Sequence, residues 1–195
     1  PTDLIMSFKS IFSKSNILID QIICSSYAKS INYRKKLSLS GHMSFIDIGF
    51  NKTSILSYLN DKIISMDVLP IGGNHITKDI SSVLKVDLNC SEQIKINFYQ
   101  NPKILNEKNI SKEILQKIVF ARTEEILELC NKSIKSNLFF TDTLKMILTG
   151  EGSKLLDNKY KDKIYFPNDM NFLDETLKDI CQSGFKFISE PNKQE

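Results

Sequence analysis

The stretch from Met43 to Ile80, MSFIDIGFNKTSILSYLNDKIISMDVLPIGGNHITKDI, decides the fold. Three apolar runs, Met43 to Ile48, Ser54 to Leu59 and Ile63 to Leu69, are separated by turn residues at Gly49 to Lys52 and at Asn60-Asp61. Runs of that length joined by such short turns predict an antiparallel meander. Pro70 ends it, since proline has no N–H to give to a sheet ladder. Gly72-Gly73-Asn74 then leads into a helix over Ile76 to Leu84.

Towards the N-terminus, Leu4, Ile5, Phe8, Ile11 and Phe12 recur at helical spacing. Ile17 to Cys24 is a β-branched apolar run that predicts a buried strand. Ser25 or Ser26 is the expected cap of a helix over Tyr27 to Lys36. Towards the C-terminus, Ser91 opens a short helix carrying Glu92 and Lys95, and Ser111 to Lys135 has the strongest helical periodicity in the chain. Leu144 to Leu148 predicts a buried strand that ends in Thr149-Gly150-Glu151-Gly152, with a helix from Ser153. A strand near Ile164 to Phe166 and a helix from Asn171 to Cys181 complete the domain, and the end after Ser189 is expected to fray. This order predicts an α/β layered domain with a helical insertion.

The formal net charge is +3, with 26 basic side chains set against 23 acidic ones and dispersed along the chain. Only Arg34, Lys35 and Lys36 form a basic run, which reads as a solvated helix end and not as the concentrated patch of a nucleic-acid binder. Cys24, Cys90, Cys130 and Cys181 form no CxxC pair and have no matching histidine spacing, which argues against a zinc site. With neither a secretory leader nor an apolar stretch near twenty residues, the piece is expected to be soluble with reduced cysteines. The start, Pro1-Thr2-Asp3, reads as a boundary and not as a native N-terminus.

Two turns and one helix carry the chemistry. Asp47-Ile48-Gly49 runs into Phe50-Asn51-Lys52-Thr53 between two strands. Such a turn can offer backbone N–H groups to phosphate oxygens while the Asp orients metal-bound water; an ordinary hairpin is the alternative. Leu148-Thr149-Gly150-Glu151-Gly152-Ser153 is a strand, a glycine turn and a helix start. It suits an anion or a flat base against backbone, or uses glycine for geometry alone. Glu92 and Lys95, three apart on a helix, could meet ribose hydroxyls and phosphate or form an exposed ion pair.

The residues Pro70-Ile71-Gly72-Gly73-Asn74-His75-Ile76-Thr77-Lys78-Asp79-Ile80 resemble the P-x-G-G-N-x-I-T-x-D-I stretch of the bacterial cell-division family FtsA. Ser91 to Lys95 is similar to that family's A-E-x-(I/L)-K helix. Ile118 to Leu129 is similar to its I-x-x-A-R-x-x-E-I-x-E-L helix, and Leu148 to Gly152 resembles its L-T-G-G adenosine motif. The pieces occur in family order from about residue 17 to the last helix.

The resemblance implies the second half of an actin-like ATPase, without its first domain and membrane tail. A ribonuclease-H-like subdomain, with a mixed sheet flanked by helices, would occupy residues 1–71 and 141–189. A small helical α+β subdomain would be inserted at 72–140, and 190–195 would form a frayed tail. ATP and Mg2+ would lie in a cleft shared with the missing half. Asp47, Gly49, Asn51 and Thr53 would form the second phosphate loop, with Asp47 reaching the metal through water. Gly72 would adjoin the nucleotide, Glu92 and Lys95 would flank its ribose, and Gly150 and Gly152 would back its adenine. The tail of the tubulin-like FtsZ would dock on the helical subdomain, with Arg122 and Glu125 as candidate contacts; a solvent-facing ion pair is their alternative role. The whole protein would assemble into filaments and sit at the inner face of the membrane at the division site, held by a C-terminal helix absent here.

The chain departs from the family's phosphate loop, D-x-G-G-G-T-T-D, at Phe50, Asn51, Lys52 and Ser54, and from the adenosine motif at Glu151. These changes restrict backbone approach to an anion and place a carboxylate near it. The expectation is weakened ATP binding, no turnover by this piece and at most a weak ATPase in the full-length protein. A pilus-assembly relative like PilM, serving as a scaffold without nucleotide, and half of a sugar or acetate kinase are the alternatives.

Overall fold

The computed structural model describes residues 2–38, 40–60, 62–100, 110–137, 145–155 and 170–189. In chain order the elements are α1 (Thr2–Ser13), α2 (Ser25–Lys36), β1 (Met43–Ile48), β2 (Thr53–Leu59), β3 (Lys62–Leu69), α3 (Gly73–Leu84) and α4 (Leu88–Gln100). They continue with α5 (Lys112–Asn137), β4 (Lys145–Thr149), a 3-10 turn (Glu151–Leu155), β5 (Met170–Phe172) and α6 (Leu177–Ser189).

The strands form one sheet in the order β3-β2-β1-β4-β5. The meander is antiparallel, with Phe45 opposite Leu56 and Leu56 opposite Met66. β4 runs parallel to β1, and β5 runs parallel to β4. Successive side chains of a strand point to opposite faces, and both faces of β1 are buried. Ile46, Ile48, Ile55, Met146 and Leu148 pack on Ile126, Leu127, Cys130 and Ile134 of α5. Phe45, Leu56, Tyr58 and Ile147 pack beneath Tyr33 of α2. Ile76 and Ile80 of α3, Ile94 of α4, and Leu115 and Val119 of α5 form a further cluster with Leu155. The 26-residue α5 therefore serves two cores, the sheet with its C-terminal half and the helical block with its N-terminal half.

Several local expectations are corrected. Ile17 to Cys24 joins no strand ladder among the described residues, and Leu18 is 90% exposed. β-propensity records a fit to a pleated, half-buried surface, and no neighbouring strand supplies one. Asn171 belongs to β5 and not to a helix; Leu173 N–H donates to Leu148 O at 2.9 Å, extending the parallel pairing. α6 begins only after Thr176, whose Oγ1 accepts from Asp179 N–H (3.3 Å) while Thr176 N–H donates to the Asp179 carboxylate (2.9 Å), a reciprocal cap. α4 begins at Leu88 under Asp87, whose carboxylate accepts from Cys90 N–H, so Ser91 lies inside the helix. The turn after β4 is 3-10, and Ser153 Oγ donates back to Gly150 O at 2.7 Å. Neither expected serine caps α2: Cys24 takes that position without a side-chain bond, and Ser26 points elsewhere. The predicted strand at 164–166 and the tail 190–195 lie outside the described residues. Among the described residues no helix is long and apolar enough to cross a membrane.

Candidate functional site

Asp47 stands opposite Thr149 in the parallel β1–β4 pair, so the turns that follow the two strands open at the same edge of the sheet. The first turn closes when Gly49 N–H donates to Lys52 O at 2.9 Å. Its carbonyls are then taken by the start of α3: Gly73 N–H donates to Gly49 O (3.0 Å) and Asn74 N–H to Phe50 O (2.7 Å). Asn74 Nδ2 also donates to Asn51 Oδ1 at 2.9 Å. A Cβ at Gly72 would fall 2.5 Å from Gly49 O and 2.8 Å from Phe50 O. Gly72 is therefore required for close approach of loop and helix, and its N–H donates to His75 Nδ1. In the second turn Gly150 adopts φ +91°, and a Cβ there would lie 2.4 Å from Ile48 O. A Cβ at Gly152 would lie 2.4 Å from Ile48 Cγ2. Both glycines let the β4 turn lie against the end of β1.

α4 brings a charged pair to the same edge. Lys95 is buried, and Nζ donates to Gly73 O (3.1 Å), Thr77 Oγ1 (2.9 Å) and Glu92 Oε2 (2.7 Å). Its three donors are all used. Thr77 Oγ1 donates in turn to Glu92 Oε2 at 2.5 Å. Glu92 and Lys95 are thus part of a network that fixes α4 against the start of α3, not a solvated pair.

These elements enclose a cleft of about 210 Å³, lined by Gly49, Phe50, Gly73, Glu92, Lys95, Ile96, Glu151, Gly152 and Leu155. Four predicted site residues, Gly49, Glu92, Lys95 and Gly152, line it together. Asp47, Thr53, Gly72 and Gly150 are buried outside this lining, while Asn51 is exposed in the first turn; Thr53 Oγ1 donates to Ile71 O at 2.8 Å. Two of the family departures stand on its wall. Phe50 is 52% exposed, its ring centre 5.4 Å from Lys95 Nζ. The Glu151 carboxylate is held at 2.9 Å by Lys154 on the rim.

Asp47 is buried and does not line this cleft. Its Oδ2 accepts from Ser26 Oγ (2.6 Å) and Lys29 Nζ (2.7 Å). A Cβ at Gly150 would fall 2.7 Å from Oδ1, so the missing side chain of Gly150 leaves room beside that oxygen. Lys29 also bonds Glu175 Oε1 at 2.9 Å, and all three charged groups are buried. Tyr33 Oη donates to Glu175 Oε2 at 3.4 Å. Burial first, then the Glu175 charge, pushes the Tyr33 phenol well above its ordinary range, so it remains a neutral donor. A carboxylate whose charge is already paired with Lys29 and whose Oδ2 accepts two bonds is a poor fit to the expected part of orienting metal-bound water.

Arg122 and Glu125 lie away from the cleft on α5. Arg122 grips Asp79 of α3 in a fork, Nε to Oδ2 at 2.6 Å and Nη2 to Oδ1 at 2.9 Å, and Nη1 reaches Glu125 at 2.5 Å. The hydrogen bonds to Asp79 raise the guanidinium pKa further, outweighing desolvation. The local sequence reading missed Ser26, Lys29, Thr77, Asp79 and Glu175. A basic residue on the predicted helix over Tyr27 to Lys36 was visible, but its partner 146 positions away was not.

The profile of the family described as Cell division protein FtsA matches residues 44–158, more than half of the chain. Among curated relatives, Cell division protein FtsA of Borreliella burgdorferi is 28% identical over 189 residues, covering 88% of this chain and 43% of the relative. That of Neisseria meningitidis is 31% identical over 122 residues, covering 54% of this chain and 30% of the relative. The chain thus spans less than half the length of these relatives. Among solved structures, MreB5 of Spiroplasma citri bound to ADP superposes with a TM-score of 0.66 at 15% identity, covering 97% of this chain and 65% of that one. The PilM-PilN type IV pilus biogenesis complex gives 0.61 at 16% identity, covering 88% and 51%. These structures share the fold, the mixed sheet flanked by helices of the actin-like ATPases. By the profile match and the succession of FtsA relatives, the chain belongs to the FtsA family of cell-division proteins.

Proposed function

We propose that the chain is the nucleotide-facing second half of an actin-like cell-division protein. It would supply one wall of an ATP cleft and hold FtsZ at the membrane, with the tether in a helix outside these residues. The observation that supports this reading is the convergence of the β1 turn, the β4 turn and the Glu92–Lys95 network on one cleft. Glu92 has 29% of its side chain exposed at the cleft and suits a ribose hydroxyl, while Gly152 offers a flat base a wall without a side chain. Lys95 acts by positioning Glu92 and the first turn of α3. The helical block of α3, α4 and α5 is read as the inserted subdomain at 72–140 and as the dock for the FtsZ tail, with Glu125 as its more accessible contact. Filament formation belongs to the whole protein, and the piece by itself is read as catalytically silent.

Calorimetric titration of ADP and ATP into the chain tests this. Binding is expected in the millimolar to high micromolar range, weakened about tenfold or more by Lys95→Met, which unties Glu92 from α3. Absence of any binding would favour a second reading, a scaffold of this family without nucleotide. That reading draws support from Phe50 in the loop and from the pairing of Asp47 with Lys29.

A further inference from the structure

The disagreement at Asp47 carries a consequence for metal. A carboxylate at the end of β1, beside a cleft that receives phosphates, repels them unless a cation stands between. Here the cation is part of the chain. Lys29 Nζ lies 2.7 Å from Asp47 Oδ2 and 2.9 Å from Glu175 Oε1, and its side chain is 5% exposed. Ser26 Oγ completes the shell of Oδ2 at 2.6 Å, and the Asp47 side chain is only 11% exposed. The ammonium comes from α2 beneath the sheet, and Glu175 fixes it from the segment leading into α6. Lys29 therefore cannot swing out to make room for an ion without leaving two buried carboxylates unpaired.

The geometry points to Lys29 as a built-in replacement for a divalent cation at Asp47, so that the cleft takes a nucleoside phosphate without metal. The inference rests on the nucleotide-cleft reading and deepens it, turning a metal-dependent phosphate loop into a metal-independent one. It identifies Lys29 as a positioning residue, since it acts through Asp47 and touches no ligand. The charge it contributes is fixed, which removes the dependence of loop electrostatics on the free metal concentration.

The test compares ADP affinity of the 195-residue chain in excess Mg2+ and in excess EDTA. Equal affinity within about threefold is expected, whereas a loss of about tenfold or more in EDTA, the scale of one unit charge acting across several ångströms of protein, would overturn the inference. Lys29→Met removes the ammonium at similar length and is expected to make ADP binding metal-dependent by at least that factor; binding that stays insensitive to metal in this variant would also overturn it. A second arm needs no nucleotide: Mn2+ titration followed by electron paramagnetic resonance. The wild-type chain is expected to bind no Mn2+ at Asp47, and Lys29→Met to gain a site that the added Asp47→Asn change removes. Mn2+ held by the wild type and lost in Asp47→Asn would refute the inference by itself, without reference to any folding defect in Lys29→Met. If ADP binds to no form, the nucleotide reading fails and the Mn2+ arm alone decides the role of Lys29.

Discussion

At the scale of single residues, burial decides behaviour that composition leaves open. The four cysteines look alike in the sequence. In the fold Cys24 and Cys181 are exposed, Cys90 is half-buried and Cys130 is enclosed between α5 and the sheet. Desolvation pushes the Cys130 thiol from its ordinary 9.0 up to about 12. The folded state thus keeps the proton while the unfolded state loses it first, so this group's contribution to stability is fully present below pH 9.0 and falls as pH rises towards 12. At pH 8, Cys24 and Cys181 are expected to react promptly with a chromogenic disulfide reagent, and Cys130 only when denaturant unfolds the chain. Rapid native-state labelling of Cys130 would place it outside the core described. Glycine positions were legible in the sequence, but their reasons were not. Gly72 was expected to adjoin the nucleotide, and in the fold it lets the Gly49–Phe50 carbonyls meet the first turn of α3.

At the scale of elements, the fork from Arg122 to Asp79 ties α5 to α3 and is the strongest polar link between them among the described residues. Removing it with Arg122→Ala leaves a half-buried carboxylate without partner, at a cost of about 1–2 kcal/mol. In the Lys154–Glu151 pair the carboxylate is 71% exposed, and Lys154→Ala is expected to cost less than about 0.5 kcal/mol. Urea midpoints compared at constant slope measure both. Equal shifts for the two variants would contradict the tie. Charge reversal at Arg122 would set a carboxylate beside Asp79 and Glu125, so it perturbs this tie as well as any peptide docking. The meander and α5 were readable because strand alternation, short turns and helical periodicity are local signals. The β5–α6 boundary was misread although Thr176 and Asp179 stand at capping-box spacing, because the apolar pattern of Asn171 to Cys181 resembles a helix until β5 pairs with β4. Ile17 to Cys24 shows the converse, high strand propensity without a ladder to join.

At the scale of the whole molecule, strand order does what no motif could by itself. A parallel β1–β4 pair brings residues about a hundred positions apart to one edge, and α4 closes over them (Asp47 faces Thr149, and Lys95 Nζ reaches Gly73 O). That edge was anticipated from two glycine-containing turns and the Glu92–Lys95 helix in family order. What the sequence did not reveal was how the predicted residues divide: Gly49, Glu92, Lys95 and Gly152 line the cleft, while Asp47 and Thr53 are buried behind it in bonds of their own. Such a division depends on contacts such as Lys29 with Glu175, whose partners carry no local trace of one another. The account therefore turns on whether the edge acts as one ligand-facing surface. Nuclear magnetic resonance titration of the isotope-labelled chain with ADP tests it most directly: amide signals of Gly49, Phe50, Gly73, Glu92 and Gly152 are predicted to shift together along one saturating curve. Shifts confined to other surfaces, or none at saturating nucleotide, would contradict it.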